Sequence, residues 1–405
     1  MIKKYIKRKY YLEKINPFID KGIIKVIVGQ RRVGKSYLLF QLMDVIKKNH
    51  KNANIIYINK ELNEFKDIKD YQNLIDFIKR NTKAKVKNYI FIDEIQDIKQ
   101  FEKALRNFNT INKYDIYCTG SNANLLSSEL ATYLSGRYIE IEVFGLSYTE
   151  FLLFHKLKDN QKSFLKYIKY GGLPYLHNLE LNDSVVYDYL KNVYNTILFK
   201  DVVNRHKIRN TSFLERLVEY LADNTGSLVS SKKISDFLKS QKINISPNIV
   251  LDYLSFLVQA FFVFKVQRSD VQGKKIFEIN DKYYFEDLGL RHSIIGYRQI
   301  DINKILENLV FLHLQIAGYK VTVGKLNNKE IDFVYEKQNE RLYIQVAYLI
   351  TEENREREFG NLLAISDNCP KIVISMDEII DKGEYKGIKQ INIKDFLIKS
   401  DFSRI

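Results

Sequence analysis

The eight residues Gly29, Gln30, Arg31, Arg32, Val33, Gly34, Lys35 and Ser36 have the form G-x-x-x-x-G-K-[ST], and no other stretch of the sequence restricts the fold as tightly. Before them, Ile23, Ile24, Val26, Ile27 and Val28 form a short, β-branched apolar run. After them, Leu38, Leu39, Leu42, Val45 and Ile46 recur at helical spacing. Strand, glycine loop and helix, in that order, are the context a phosphate-binding loop requires. Gly29 and Gly34 permit positive φ and let backbone N–H groups approach phosphate oxygens, where a helix N-terminus adds its dipole. Lys35 is expected to reach the terminal phosphates and Ser36 to ligate magnesium, with Gln30, Arg31, Arg32, Val33 and Tyr37 completing the nucleotide-contacting stretch.

Further on, Tyr89, Ile90, Phe91, Ile92, Asp93 and Glu94 read as an apolar strand ending in two carboxylates, which looks like a Walker B strand. Asp93 is placed to hold magnesium and Glu94 to polarise an attacking water. Next, the strand Ile116 to Thr119 leads into Gly120, Ser121 and Asn122. These polar side chains suit a sensor of the γ-phosphate or, equally, the cap of a helix over 123–130. Leu134, Ser135, Gly136 and Arg137 precede another strand with Ile139, Ile141 and Val143. By spacing alone Arg137 reads either as a surface residue or as a donor to a γ-phosphate, in its own chain or across a subunit interface.

At 405 residues the chain is long enough for two or three domains. Lys and Arg number 64 against 49 Asp and Glu, a net charge of +15, which favours contact with polyanions such as DNA without requiring it. The dense cluster Lys3, Lys4, Lys7, Arg8 and Lys9 is punctuated by Tyr5, Tyr10, Tyr11 and Leu12. It reads as an amphipathic packing helix within residues 1–20 and lacks the long apolar core of a signal peptide. Two cysteines, Cys118 and Cys369, provide neither a disulfide framework nor a zinc site, so a cytoplasmic setting is expected. The apolar patch from Phe256 to Val266 is broken by Gln259 and Lys265, and no membrane span is expected.

The pattern divides the remaining chain. Residues 21–146 alternate strands and helices, as a parallel sheet does. Residues 147–210 read as a helical lid. In 211–295, helices over Phe213 to Ala222, Ile234 to Leu238 and Pro247 to Val258 precede strands at Phe261 to Val266 and Lys275 to Ile279, around Gly273; three helices and a hairpin make a winged helix. Its expected recognition helix, Ser246 to Gln259, contains no lysine or arginine, which favours a protein partner over DNA, although Arg268, Lys274 and Lys275 keep a wing-mediated DNA contact open. Within 300–405, a helix over Ile305 to Gly318, the acid-bearing strand Glu330 to Val334 and the strand Leu342 to Ala347 have the layout of restriction-endonuclease-like nucleases. Glu307 and Asp332 supply acids, but Gln345 and Ala347 occupy the slot where a metal-binding carboxylate and a lysine are needed.

Together GQRRVGKS, YIFIDEIQ, CTGSNANLL, LSGRYIEIEVFGLSYTEF, YGGLP, KYYFEDLGLR, EIDFVYE and IQVAY resemble AAA-family ATPases with a C-terminal DUF4143 region. The resemblance implies an α/β P-loop NTPase (AAA-like) core, a helical middle with a winged helix, and a C-terminal restriction-endonuclease-like domain. It implies ATP and Mg2+ as ligands and Arg137 as the arginine contact. It leaves open the physiological partner and whether the chain forms a homo-oligomer. The leading expectation is a magnesium-dependent ATPase whose nucleotide state repositions the other modules against a partner; the alternative is a nucleic-acid-binding regulator with negligible turnover. Because the Gln345 and Ala347 slot lacks both the second carboxylate and the lysine, supercoiled plasmid incubated with the protein and Mg2+ or Mn2+ is expected to stay intact. Nicking that disappears in Asp332→Ala would contradict this.

Overall fold

The computed structural model describes residues 5–111, 113–126, 134, 136–271, 276–337, 340–378 and 383–399. Lys3, Lys4, Ser135, Gly273, Lys274 and Lys275, and the 127–130 part of the expected helix, lie outside them. The chain forms two units: residues 1–144 with 259–261, and residues 145–258 with 262–405.

Unit 1 contains α1 (Lys9–Ile15), β1 (Ile24–Val28), α2 (Lys35–Asn49), β2 (Asn54–Asn59), α3 (Tyr71–Asn81), β3 (Asn88–Asp93), α4 (Phe101–Ile111), β4 (Tyr114–Gly120) and β5 (Tyr138–Glu142). Its strands pair in parallel in the order β2-β3-β4-β1-β5. A parallel sheet is covered on both faces, and β1, β3 and β4 are accordingly buried at every position. The helix after the glycine loop buries Leu38, Leu39, Leu42 and Ile46, and its last turn carries Lys47 and Lys48 where the helix dipole favours cations. This order gathers the C-terminal ends of β1, β3 and β4, the edge at which open parallel sheets bind ligands.

The N-terminal segment departs from its sequence reading in one respect. Helix α1 buries Tyr11, Leu12 and Ile15 as an amphipathic helix should, and Lys7 and Lys9 are exposed. Arg8, read as one of the basic cluster, is only 4% exposed, because its guanidinium finds backbone carbonyls in the interior.

Unit 2 begins with α5 (Tyr148–His155), α6 (Gln161–Tyr170) and α7 (Asp183–Thr196). Then follow α8 (Thr211–Asp223), β6 (Leu228–Val229), α9 (Ser231–Ser240), α10 (Pro247–Gln259, whose last residue joins unit 1), β7 (Val263–Asp270), β8 (Ile276–Phe285) and α11 (Leu288–Ile295). The rest comprises α12 (Ile302–Ile316), β9 (Lys320–Leu326), β10 (Lys329–Lys337), β11 (Glu340–Val346), α13 (Glu352–Leu363), β12 (Lys371–Ser375), β13 (Glu384–Tyr385), β14 (Ile388–Asn392) and α14 (Ile393–Ile398). A single nine-stranded sheet, ordered β13-β14-β12-β11-β10-β9-β7-β8-β6, spans residues on both sides of 295–300. It does so because Arg268, Ser269 and Asp270 of β7 pair in parallel with Val323, Gly324 and Lys325 of β9. Such long-range pairing leaves no mark in local periodicity.

Two carboxylates after β8 fasten the helical part of this unit. Glu286 Oε1 accepts Gly145 N at 2.7 Å, while Asp287 caps α11 through Leu290 N at 2.9 Å and accepts Gly172 N at 2.7 Å. Burial pushes the Asp287 carboxyl up to about 6 even against these amide donors. The adjoining Gly171 has φ +78°, and a Cβ there would lie 2.4 Å from Asp287 Oδ1. Gly171→Ala is therefore expected to lose about 2–4 kcal/mol in denaturant unfolding, from backbone strain plus overpacking. Gly296, at φ +80° with open space around its Cβ direction, isolates the strain, so Gly296→Ala should lose only about 1–2 kcal/mol.

Candidate functional site

The glycine loop is shaped by close backbone approach. Gly29 has φ +142°, and a Cβ would come within 2.2 Å of Val143 O, so no other residue fits. Gly34 caps α2 in a left-handed conformation at φ +98°, and Arg32 adopts φ +73° with its side chain exposed. Lys35 is 4% exposed and folds back so that Nζ donates to Gly29 O at 2.8 Å and Gln30 O at 2.9 Å. An ammonium inside a ring of backbone groups is placed to trade those carbonyls for phosphate oxygens. Arg31 bonds Glu61 just beyond β2 at 2.7 Å. The buried Gln30 side chain donates to Phe261 O at 2.9 Å, and Val33 is buried. Tyr37 is half exposed on α2, edge-on to Phe40.

Asp93, the last residue of β3, is 1% exposed. Its Oδ1 accepts Thr119 Oγ1 at 2.5 Å, its Oδ2 accepts Tyr57 OH at 3.3 Å, and the Ser36 hydroxyl bonds it as well. Burial raises the Asp93 pKa, with the Glu94 charge adding to the rise; the Thr119 and Ser36 bonds and the Lys35 charge oppose it. Glu94 takes a left-handed conformation at φ +58°, which is uncommon for a side chain of this kind and turns the chain sharply at the strand end. Its backbone N–H donates to Thr119 Oγ1 at 3.0 Å, and its Oε2 accepts Gln96 Nε2 at 2.5 Å and Ser121 Oγ at 3.2 Å. Asn122 has its carbonyl on Leu125 N at 3.1 Å, which opens a 3₁₀ turn over Ala123–Leu126. Lys35, Ser36, Asp93, Glu94 and Ser121 are thus linked at neighbouring strand ends.

Arg137 is not brought to this place. It precedes β5, its carbonyl accepts Ile24 N at 3.0 Å, and the β1–β5 register runs from Ile24 beside Tyr138 to Val28 beside Glu142. The loop follows Val28, so Arg137 lies at the opposite end of β1, about 15 Å along the strand. A contact between Arg137 and a phosphate in its own chain's loop is excluded by that separation.

The residues expected to form a nuclease-like slot do converge, but around a cation. Lys282 Nζ lies 2.7 Å from Glu307 Oε1, 2.9 Å from Glu330 Oε1 and 3.9 Å from Asp332 Oδ1. Tyr284 OH also donates to Glu307 Oε1 at 2.5 Å, and Asp332 Oδ2 accepts Val346 N at 2.8 Å. Burial works against the Lys282 charge, yet Glu307, Asp332 and Glu330 together raise its pKa. Gln345 is buried with Oε1 unpartnered among the described residues. Among the described residues no group of three or more His, Cys, Asp or Glu is arranged to hold a metal ion.

Four contributors escaped the sequence reading: Thr119, Gln96, Tyr57 and Lys282. A signal existed for Thr119, a hydroxyl ending an apolar strand, and for Lys282, a lysine directly before the aromatic run Tyr283, Tyr284 and Phe285. Gln96 and Tyr57 carried none, because their partners come from other strand ends.

Residues 21–152 match the model of an AAA domain, and residues 161–301, expected to form a lid and a winged helix, match a domain of unknown function, DUF8612; the DUF4143 expectation concerned 300–405. The solved Walker-type ATPase of Pyrococcus abyssi shares the fold at a TM-score of 0.50 and 14% identity, over 72% of this chain and 96% of that one. The chain thus carries an AAA domain over residues 21–152, and its fold is shared with a Walker-type ATPase. It is 40% identical over 412 residues to an uncharacterized protein of Haemophilus influenzae, covering 98% of this chain and 100% of that one. It is 33% identical over 350 residues to an uncharacterized protein of Methanocaldococcus jannaschii, covering 83% of this chain and 77% of that one. The chain belongs to the family these two proteins represent. Among the described residues no helix is long and apolar enough to cross a membrane.

Thr119 serves two groups with one hydroxyl, donating to Asp93 and accepting from Glu94 N–H. Thr119→Val keeps the shape and removes both bonds, so it is expected to cost about 1–3 kcal/mol in urea unfolding. Thr119→Ser, which retains the hydroxyl, should stay within about 1 kcal/mol of the parent.

Proposed function

We propose that this protein binds ATP with magnesium at the ends of β1, β3 and β4 and hydrolyses it, and that nucleotide state repositions the remaining modules against a partner. The observation that carries the reading is the junction of Lys35, Ser36, Asp93 and Glu94, with the Glu94 carboxylate oriented through Oε2 by Gln96 and Ser121. A hydroxyl and a carboxylate already in contact are the oxygen donors a hard divalent ion takes, so Ser36 and Asp93 would hold magnesium. Bound there, the ion would neutralise charge on the β- and γ-phosphates. Lys35 exchanges the Gly29 and Gln30 carbonyls for phosphate oxygens. Glu94 polarises a water for in-line attack; the bond from the γ-phosphorus to its bridging oxygen breaks, leaving ADP and phosphate.

Four modules follow from the same reading: the core over 21–146, a lid over 147–210, a winged helix over 211–295 and a nuclease-like, DUF4143-type region over 300–405. The succession α8, β6, α9, α10, β7, β8 supports the winged helix. On α10 the exposed Ile249 and Leu251, and the absence of any basic residue, favour a protein partner over DNA. The Lys282 ammonium among Glu307, Glu330 and Asp332 adds to the argument against cleavage. Free thiols at Cys118 and Cys369 fit a cytoplasmic setting. Since Arg137 lies at the other end of β1 from its own loop, its role would be exercised on a neighbouring copy in a homo-oligomer.

Lys35→Ala is expected to weaken ATP binding about 10- to 100-fold in calorimetry, the value of a charge-assisted bond. In contrast, Glu94→Gln should bind ATP normally while turnover falls about 100-fold or more; wild-type turnover would remove Glu94 from the mechanism. Arg137→Ala should lower turnover with little change in melting temperature, and mixing it with Glu94→Gln should partly restore hydrolysis. No restoration in a confirmed mixed oligomer would exclude the contact between copies.

A further inference from the structure

Two hydrogen-bonded links leave the phosphate loop, and each ends on a stretch of chain that leads out of unit 1. The first begins at Gln30, whose buried Nε2 donates to Phe261 O at 2.9 Å. Residues 259–261 pack with unit 1, although residues 258 and 262 on either side belong to unit 2. Phe261 is held at φ +54°, a left-handed conformation that an aromatic residue keeps only where its surroundings enforce it. The second link is Arg8. Its Nη1 donates to Val33 O at 3.1 Å and Phe144 O at 2.8 Å, and its guanidinium lies 4.5 Å from the Tyr11 ring centroid. Tyr11 OH in turn accepts Phe144 N at 3.1 Å, and Arg8 N donates to Gln41 of α2. Phe144 is the last residue of unit 1 before the chain continues at Gly145.

The two links differ in what nucleotide does to them. Lys35 Nζ donates to the carbonyls of Gly29 and Gln30, the start of the loop, whereas Arg8 holds the Val33 carbonyl toward its other end. On the ATP-binding reading, on which this inference rests, that ammonium turns to the phosphates, and the Gln30 peptide loses a charge-assisted bond. The same residue's side chain holds Phe261. One half of its amide, Oε1, is buried without a partner among the described residues, a cost that a second arrangement of the side chain relieves. A ligand moves an equilibrium only through contacts that differ between two states, and the Lys35 bond to Gln30 is such a contact.

We infer that Gln30 transmits nucleotide occupancy from the phosphate loop to residues 259–261, while Arg8 is a positioning residue that holds the Val33 end of the loop and Phe144 still. Gln30 thereby links the bound phosphates to the connection between α10 and β7, in the middle of the region matched to DUF8612.

Hydrogen exchange measured by mass spectrometry on the full chain, with and without magnesium and the non-hydrolysable β,γ-imido analogue of ATP, tests this. In the wild type, saturating analogue should accelerate exchange of the amides from Ala260 to Val263 about fivefold or more, a typical size for coupling between sites. Gln30→Leu keeps the volume and removes the donor; compared at equal occupancy, its response there should fall to less than about twofold. Arg8→Met should make the Val143 and Phe144 amides responsive to nucleotide, where the wild type is silent. Bound analogue with no acceleration at Ala260 to Val263, or an equal response in Gln30→Leu, overturns the inference while leaving ATP binding intact. Absence of binding in a parallel titration overturns the ATP reading and this inference with it. If Gln30→Leu does not fold, the wild-type response decides alone.

Discussion

Burying the Asp93 carboxylate at the end of a central strand is costly unless donors surround it, and the nucleotide core is organised around meeting that cost. Its donors come from separate elements: Thr119 from β4, Tyr57 from β2, Ser36 from the first turn of α2. Each of these strands must therefore end at the same level, which the parallel pairing β2-β3-β4-β1 secures. The burial that raises the Asp93 pKa is opposed by the Thr119 and Ser36 bonds and by the Lys35 charge.

Two buried lysines illustrate how partner chemistry separates an open site from a closed one. Lys35 donates to two neutral carbonyls, which a phosphate oxygen can outcompete because it carries charge. Lys282 lies among Glu307, Glu330 and Asp332. Removing that ammonium would leave the buried Asp332 and the partly buried Glu307 and Glu330 uncompensated, which is more expensive than giving up two carbonyl bonds. The first lysine holds neutral groups that a charged oxygen could replace; the second is a resident cation among carboxylates.

Some left-handed backbone lies in the same neighbourhood as the polar groups. Arg32 in the loop, Glu94 after β3 and Phe261 beside Gln30 all adopt left-handed φ without being glycine. Such residues persist where several contacts over-determine them, and they store free energy that a change of partner can release. Lys35 donates to the Gln30 carbonyl and the Gln30 side chain donates to Phe261 O, so two hydrogen bonds connect Lys35 to Phe261.

The nucleotide core was legible because its signals are local. Gly29 to Ser36 carries strand, loop and helix within one continuous stretch, and Tyr89 to Glu94 marks its own strand end by switching from apolar to acidic. The Gln345 and Ala347 departure from a nuclease pattern was equally visible, since it needs only two side-chain identities. What local pattern could not supply was pairing between distant segments. That Arg8 is interior, that Arg137 sits at the wrong end of β1 for its own loop, that β7 joins β9 in one sheet, and that Lys282 fills the carboxylate slot all depend on strand order and register. Periodicity encodes which face of an element is buried, whereas the partner that buries it is chosen only when the chain closes on itself. The sequence by itself therefore determined the class of chemistry, and tertiary structure decided which of its charged residues can take part.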